Sequence, residues 1–534
     1  MSKQLRTLLF AGIGIVALGA ILAVLLLLPN RTGEGDTSST ASSDPSISLV
    51  DKSKDAQGEA VEKPVKKVTV KISPDEEKKD EDGNVLVVAR KGEEFEISPN
   101  EEEEMVVQLY KDLPVNTYLV ESLTDSLAAI SATKKVADRA ENPADYGLDT
   151  PAVTATVVYH DDTEVTVELG NETPLKEGFY FRISGDETVY LVSTSFGNTL
   201  LKESLSYIGN ILYSKPSVNA DDSNGSAILR DMELSGRVRG ENKFAFRATT
   251  NADTAEYTAY ADYIMTFPYA RSTNAQTVSD LASAAASLSA TKAVLAYPTA
   301  EDLAAYGLDD PYSVARLNVA VKTTEEPEDT SSTSSSSEEL GETKYYNVSA
   351  HTVKLGNKDE NGNYYCTVDD VQVIYLVSSG AVPWAELQYD DVADPMLFVT
   401  DIQNVDSITI TNQGTETTFK LEHFPDETEA DDKMKVTLDG KQMDTKNFRR
   451  LYQLMMSISR TGAMEVEPSG DPEITIRVVR EGAEDILAEF FPADANTYTC
   501  RLETGETYKV SAGKLENLLK QLTGYLNGEE VYAG

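Results

Sequence analysis

Only two cysteines, Cys366 and Cys500, occur in a chain of 534 residues. That is too few to staple a disulfide-built scaffold, so the fold must rest on apolar burial, and each thiol reads as a small core residue. The three histidines, His160, His351 and His423, fall at unlike places and form no pair, which leaves no relay or ligand set built on imidazole. No GxSxG, Walker loop, HExxH or CxxC occurs. The expectation is a protein that is not an enzyme and holds no cofactor.

Basic charge is scarce too. Lys and Arg number 47 against 89 Asp and Glu, a formal net charge of -42. Such a surface repels phosphate backbones and acidic headgroups, which excludes nucleic acid as a partner. The acidic runs at 75–82 and 101–104 read as solvated faces.

One long hydrophobic run stands out. Lys3 and Arg6 precede an uncharged stretch, residues 8–28, whose 21 positions at about 1.5 Å each would span the roughly 30 Å hydrocarbon core of a bilayer. The flank has no small-x-small cleavage pattern, so the expectation is an uncleaved transmembrane anchor rather than a removed secretory signal. The positive-inside rule then keeps the N-terminus cytoplasmic and places the rest outside the cytoplasm, as a single-pass protein of the cell membrane.

Organisation past that run is repetitive. Ile130-Ser131-Ala132-Thr133-Lys134 returns as Leu288-Ser289-Ala290-Thr291-Lys292 and, weakly, as Ile458-Ser459-Arg460-Thr461. Extending backwards without a gap, Val120, Leu123, Leu127 and Ile130 align with Val278, Leu281, Ala285 and Leu288, then with Phe448, Leu451, Met455 and Ile458. Offsets of that spacing fall on one helical face, so each repeat is expected to carry an amphipathic helix packed by that stripe. Pro151, Pro311 and Pro472 follow, each opening an apolar/polar alternation with the period of a half-buried strand. "VELGN" at 167–171 recurs as "VKLGN" at 353–357, and "YLVS" closes both meanders.

The fold expected from this is α+β: an N-terminal transmembrane helix followed by three tandem units, each a hairpin, an amphipathic helix, a turn, an antiparallel strand meander and a closing helix. The boundaries are 1–31 for the cytoplasmic stub and anchor and 32–63 for a disordered tether rich in Ser, Asp and Gly. Unit 1 runs over 64–212, unit 2 over 226–395 with a disordered insertion at 325–342, and a divergent unit 3 over 396–534.

The most distinctive repeated element is a turn. "DYGLDTP" contains Tyr146, Gly147, Leu148 and Pro151, and "AYGLDDP" contains Tyr306, Gly307, Leu308 and Pro311. Asn142 and Thr299 are placed to cap a short helix, with Asp302 completing a capping box. Gly147 and Gly307 then suit the left-handed position that ends it, the leucines suit the contact just beyond, and the prolines prevent resumption. These eight residues are read as a helix stop and strand start, not as a binding site. The third copy keeps Gly470, Asp471 and Pro472 without the Tyr and Leu. A calcium-loop-like stretch at 359–370 has Tyr364 where such a loop needs Gly, so it reads as a hairpin turn and no metal is expected.

The helix ending in "SATK", the "YGLDxP" turn, the "LGN" step and the "YLVS" strand together resemble a bacterial family catalogued as domain of unknown function 4340. Members typically carry an N-terminal membrane anchor before such repeats and are often encoded beside components of ABC-type transporters. The resemblance implies an accessory role at the membrane and carries no catalytic residues. The expected function is a membrane-anchored extracytoplasmic accessory or scaffold protein, with a membrane-protein partner such as an ABC-type transporter. The alternative is a cell-envelope module that binds glycan, peptide or cation in a groove between repeats.

Overall fold

The computed structural model describes residues 46–532 apart from 56, 77, 80–84, 88–89, 221–224, 251–252, 254–261, 325–342, 430–432 and 464–466. The alternating stretches after the three prolines are strands, Val153–Tyr159, Ser313–Thr324 and Ile474–Arg480. Period two sets Val153, Ala155 and Val157 on one buried face and leaves the residues between them partly exposed. Ala315, Leu317 and Val319, and Ile474, Ile476 and Val478, are buried in the same way.

Each of these strands lies inside an antiparallel sheet. In the first, of eight strands, the order is Met105–Val107, Glu93–Pro99, Val65–Ile72, Val153–Tyr159, Glu164–Glu172, Phe179–Ile183, Val189–Val192 and Lys134–Ala137. The second and third sheets have nine strands each and repeat the scheme. Their edges are Arg271–Ser272 and Lys292–Ala296 in the second, and Lys441–Gln442 and Arg460–Ala463 in the third.

The amphipathic helices are α1 (Thr117–Ala128), α2 (Ala275–Ala285) and α3 (Thr445–Met456). Each follows one edge strand and precedes the strand at the opposite edge, so the helix must carry the chain across one face of its sheet. That crossing explains the stripe. Val120, Leu123 and Leu127, then Val278, Leu281 and Ala285, then Phe448, Leu451 and Met455 are buried beneath their helices, each larger side chain contributing about 1.5–3 kcal/mol. All three helices start at a side-chain cap that accepts a backbone N–H three residues on: Asn116 from Leu119, Asn274 from Thr277 and Asp444 from Asn447. The stripe is one residue shorter than its spacing suggests. Ile130, Leu288 and Ile458 are buried, but each lies past the helix end, the first two in short strands Ala129–Ala132 and Leu288–Ser289.

Those short segments join the units. Ile211–Tyr213, leaving the first unit, pairs with Leu288–Ser289 of the second, and Pro395, ending the second, accepts from Arg460 N of the third at 2.8 Å, beside the bridge of Met396 to Ser459. In the first unit the same place on Ala129–Ala132 is taken by Ile47–Asp51, a strand within the stretch read as a tether. The apolar core of the second sheet takes in Leu113 and Ile208 from the first unit, so the cores themselves cross the boundary.

The expected fold class needs correction. The described chain is a β-rich arrangement of antiparallel sheets, in which each unit owes most of its residues to strands and one crossing helix. Among the described residues a full closing helix exists only in unit 3, as α4 (Ala512–Leu526). Unit 1 ends in the seven-residue helix Thr194–Leu200, and unit 2 in short 3-10 turns and one turn of helix, Tyr389–Val392. The physical reason is the length of the alternating runs: Thr343–Lys358 alone is a 16-residue strand, and its pairings consume chain that a helix would otherwise use. The proposed transmembrane run at 8–28, like the insertion at 325–342, lies outside the described residues. Among the described residues no helix is long and apolar enough to cross a membrane.

Candidate functional site

The repeated turn and the repeated "LGN" step come together. Gly147 and Gly307 have φ of 69° and 70°, the left-handed region that an L side chain rarely adopts. Leu148 and Leu308 are buried, and the rings of Tyr146 and Tyr306 pack edge-on against Tyr180 and Tyr365 at 5.0 and 4.5 Å. The Tyr146 carbonyl oxygen lies 2.1 Å from where a Cβ on Gly170 would stand, and the Tyr306 carbonyl 2.2 Å from that on Gly356. Asn357 N donates to the Tyr306 carbonyl at 2.8 Å. Both glycines sit where the ladder to the next strand shifts register, between Leu169 and Glu172 and between Leu355 and Lys358. Pro151 and Pro311 stand at the strand entrance, where their carbonyls accept from Ser73 Oγ at 2.7 Å and Arg237 N at 3.0 Å. Thr299 and Asp302 form the capping box, whereas Asn142 makes no cap and its amide instead donates to Asp145. The eight turn residues thus lock a helix end to a bulged strand and converge on no reactive group.

The chemistry that does converge lies between units 2 and 3. Arg271, on the edge strand of the second sheet, donates through Nη1 to Tyr508 Oη at 2.8 Å and to Glu506 Oε2 at 3.2 Å, and through Nη2 to the Met396 carbonyl at 3.1 Å. Tyr389 of unit 2 donates to the other Glu506 oxygen at 3.0 Å. Arg460 of unit 3 reaches back to the Asp390 carboxylate and donates to the Asp390 and Ala393 carbonyls at 3.2 and 2.8 Å. Its guanidinium lies over both Tyr389 and Tyr508, at 5.4 and 5.1 Å from their centroids.

These side chains are shut off from water: Glu506 is 4% exposed, Arg460 3% and Arg271 11%. Burial, set partly against the neighbouring Arg271 charge, pushes the Tyr508 phenol far above its ordinary value, and burial raises Tyr389 too. For Arg271 burial alone would lower the pKa, but Tyr508 and Glu506 outweigh it and hold the guanidinium charged. Beside this network opens a crevice of about 540 Å³, walled by both units.

None of the crevice residues was singled out as a site from sequence, and they are far apart along the chain. One signal was available. Arg460 stands where the other two repeats have Ala132 and Ala290, and a buried arginine replacing a repeated alanine marks an interface. The cysteines are free and buried, and burial raises both thiols. His351 stacks on Tyr213 at 4.3 Å and pairs with Asp369 at 2.9 Å. In the calcium-like stretch the Asp359 carboxylate accepts from Asn361 N and Asn363 N, so the turn itself uses it.

Sheets of one topology, each crossed by one helix, linked by one kind of entry pairing and enclosing an inter-unit crevice, define a tandem-repeat protein. The chain belongs to the family described as Domain of unknown function (DUF4340), which matches residues 106–258 and 265–475. The second matched segment begins just ahead of α2 and runs through α3, so the matched segments are out of step with the sheets. No curated protein and no solved structure matches the chain.

Proposed function

We propose that this protein is a non-enzymatic accessory or scaffold protein held at the cell membrane, with its repeats outside the cytoplasm and a membrane-protein partner such as an ABC-type transporter. The observation that carries the reading is the welding of successive units. Strand pairing at the first junction, the backbone hydrogen bond from Arg460 to Pro395 at the second and the buried Arg271–Glu506 contact support a rigid array that presents a fixed surface to a partner. The uncharged run at 8–28, a feature of the sequence alone, supports the tether. In-cell crosslinking followed by affinity purification of the full chain tests the reading, and recovery of no membrane protein across several crosslinker lengths overturns it. Protease accessibility in intact cells against lysed cells tests the placement.

A second reading, a cell-envelope ligand-binding module, is favoured by the crevice between units 2 and 3, whose volume falls in the range of small-molecule sites.

A further inference from the structure

We infer that the crevice between units 2 and 3 takes a neutral saccharide, an inference that rests on the ligand-binding reading above. Three features of the lining select the ligand. The first is aromatic surface: Phe267 is 43% exposed at the crevice and the half-buried Tyr269 lines it too, with Tyr389 and the buried Tyr508 behind them. Rings of this kind bury the apolar C–H faces of a sugar, and the Tyr269 phenol keeps a polar end for its hydroxyls.

The second feature is a mixed set of hydrogen-bonding groups. Glu241 and Glu467 only accept, Asn242 and Gln388 donate and accept, and Lys243 only donates. A polyhydroxyl ligand offers both roles at every oxygen, so it can satisfy such a lining without carrying charge. The third is what the charges exclude. Four carboxylates, on Glu241, Asp390, Glu467 and Glu506, line the crevice and repel an anion. A cation would need carboxylates free to converge, but Asp390 is held by Arg460 and Glu506 by Arg271 and Tyr389. Among the described residues no group of acids, His and Cys is placed to hold a metal ion. Because the groups of the network behind the crevice are buried and hold one another, the walls are set before a ligand arrives, which lowers the ordering cost of binding.

The test is a thermal-shift screen of the full chain in detergent against cellotriose, maltotriose and chitotriose, with trilysine and inorganic phosphate as charged probes, followed by calorimetry on any that bind. The expected result is a raised melting temperature with at least one trisaccharide and none with phosphate or trilysine. Phe267→Ala, a change at a partly exposed ring, should leave the melting temperature of the free protein unchanged and weaken saccharide binding by about tenfold or more. Glu467→Ala, at an exposed position, should weaken it without affecting folding. Binding of trilysine with no saccharide response would overturn the inference in favour of a cationic ligand, and a flat response to all three sugars would overturn it outright. Saccharide binding that persists unchanged in both variants would place the ligand elsewhere and equally overturn it. None of these outcomes bears on the accessory reading, which stands or falls with the crosslinked partner.

Discussion

Replacing Gly356 by Ala tests whether the joint between the turn and the bulged strand holds unit 2 together. The backbone there is not left-handed, so alanine meets no conformational penalty and would, in open space, stabilise by about 0.4–1 kcal/mol through the unfolded chain. The new methyl would instead stand 2.2 Å from the Tyr306 carbonyl oxygen, where van der Waals contact requires roughly 3.5 Å. Strand and turn must therefore part by about 1 Å, at a cost of about 1–3 kcal/mol for overpacking. The hydrogen bond from Asn357 N to the same carbonyl, 2.8 Å long, is stretched as well, worth about 1 kcal/mol more. The expected loss is about 2–3 kcal/mol. Gly362→Ala is the control: its φ is 82° but nothing lies within 4 Å of the added methyl, so only about 1–2 kcal/mol of backbone strain applies. The assay is urea unfolding followed by tryptophan fluorescence, because the chain has a single tryptophan and Trp384 is buried in the core of unit 2. Such a probe isolates one unit of a chain whose units need not unfold together. A Gly356→Ala midpoint equal to or above that of Gly362→Ala would refute the joint.

Three further outcomes follow from the same contacts. Gly307→Val puts a β-branched residue at φ 70° with the Asn357 side chain 2.6 Å from its Cβ, so unit 2 should lose about 2 kcal/mol; unchanged stability by the same fluorescence assay would mean the helix stop is misread. Arg460→Ala restores the residue of the other repeats but removes two backbone hydrogen bonds, the Asp390 pair and two ring contacts. Because Asp390 is 46% exposed, its freed charge is partly solvated, and the loss should be about 2–3 kcal/mol; hydrogen exchange should quicken at 389–397 and 506–510, and unaltered exchange would deny the interface role. Burial raises the phenols of Tyr159 and Tyr375 to about 12, against an ordinary 10. A raised folded-state value means that this stability is complete below pH 10 and is lost as pH rises through 12, so denaturant midpoints should fall across that window together with the appearance of tyrosinate absorbance; flat midpoints there would show the rings to be accessible.

Periodicity explains which parts of this fold could be read beforehand. Val120, Leu123 and Leu127 repeat at helical spacing because one face of α1 must lie on a sheet, and the same requirement acts on α2 and α3. Ile130, two residues past the helix, belongs to the same apolar core from a short strand that pairs with Ile47–Asp51, and a helical period cannot tell the two settings apart. Ile47–Asp51 itself escaped notice because its neighbours are polar and its partner lies 78 or more residues away, as with Asp51 and Ala129. The crevice was illegible for a stronger form of the same reason. Arg271 and Tyr508 are separated by 237 positions, and no local pattern marks an edge strand of one sheet as the neighbour of a meander in the next.

The divergence of the third repeat has a physical cause that register exposes. Leu169 pairs with Val153, Leu355 with Ser313 and Phe490 with Ile474, each partner two residues after its proline, so the three positions are equivalent. The next residue is Gly170 in the first unit and Gly356 in the second, but Phe491 in the third. A carbonyl cannot dock where that ring stands: Phe491 is buried and lies under the Arg501 guanidinium at 5.1 Å. Without its docking place a helix-stop turn has nothing to lock, and the third copy has indeed lost the Tyr and Leu, while Gly470, at φ 89°, has nothing within 4 Å of its Cβ position. The ladder there runs regularly, Phe491 opposite Thr499, and shifts only further on, between Pro492 and Asp494, so at this position the glycine, the bulge and the turn have gone together. The third unit instead carries Arg460 on its edge strand and Glu506 and Tyr508 at its last meander turn, the groups that bind it to the second. The turn is thus a joint internal to a unit, and the Arg271 and Arg460 ion pairs are part of the joint between units 2 and 3. That is why the repeat that lacks the first can still be held firmly in the array by the second.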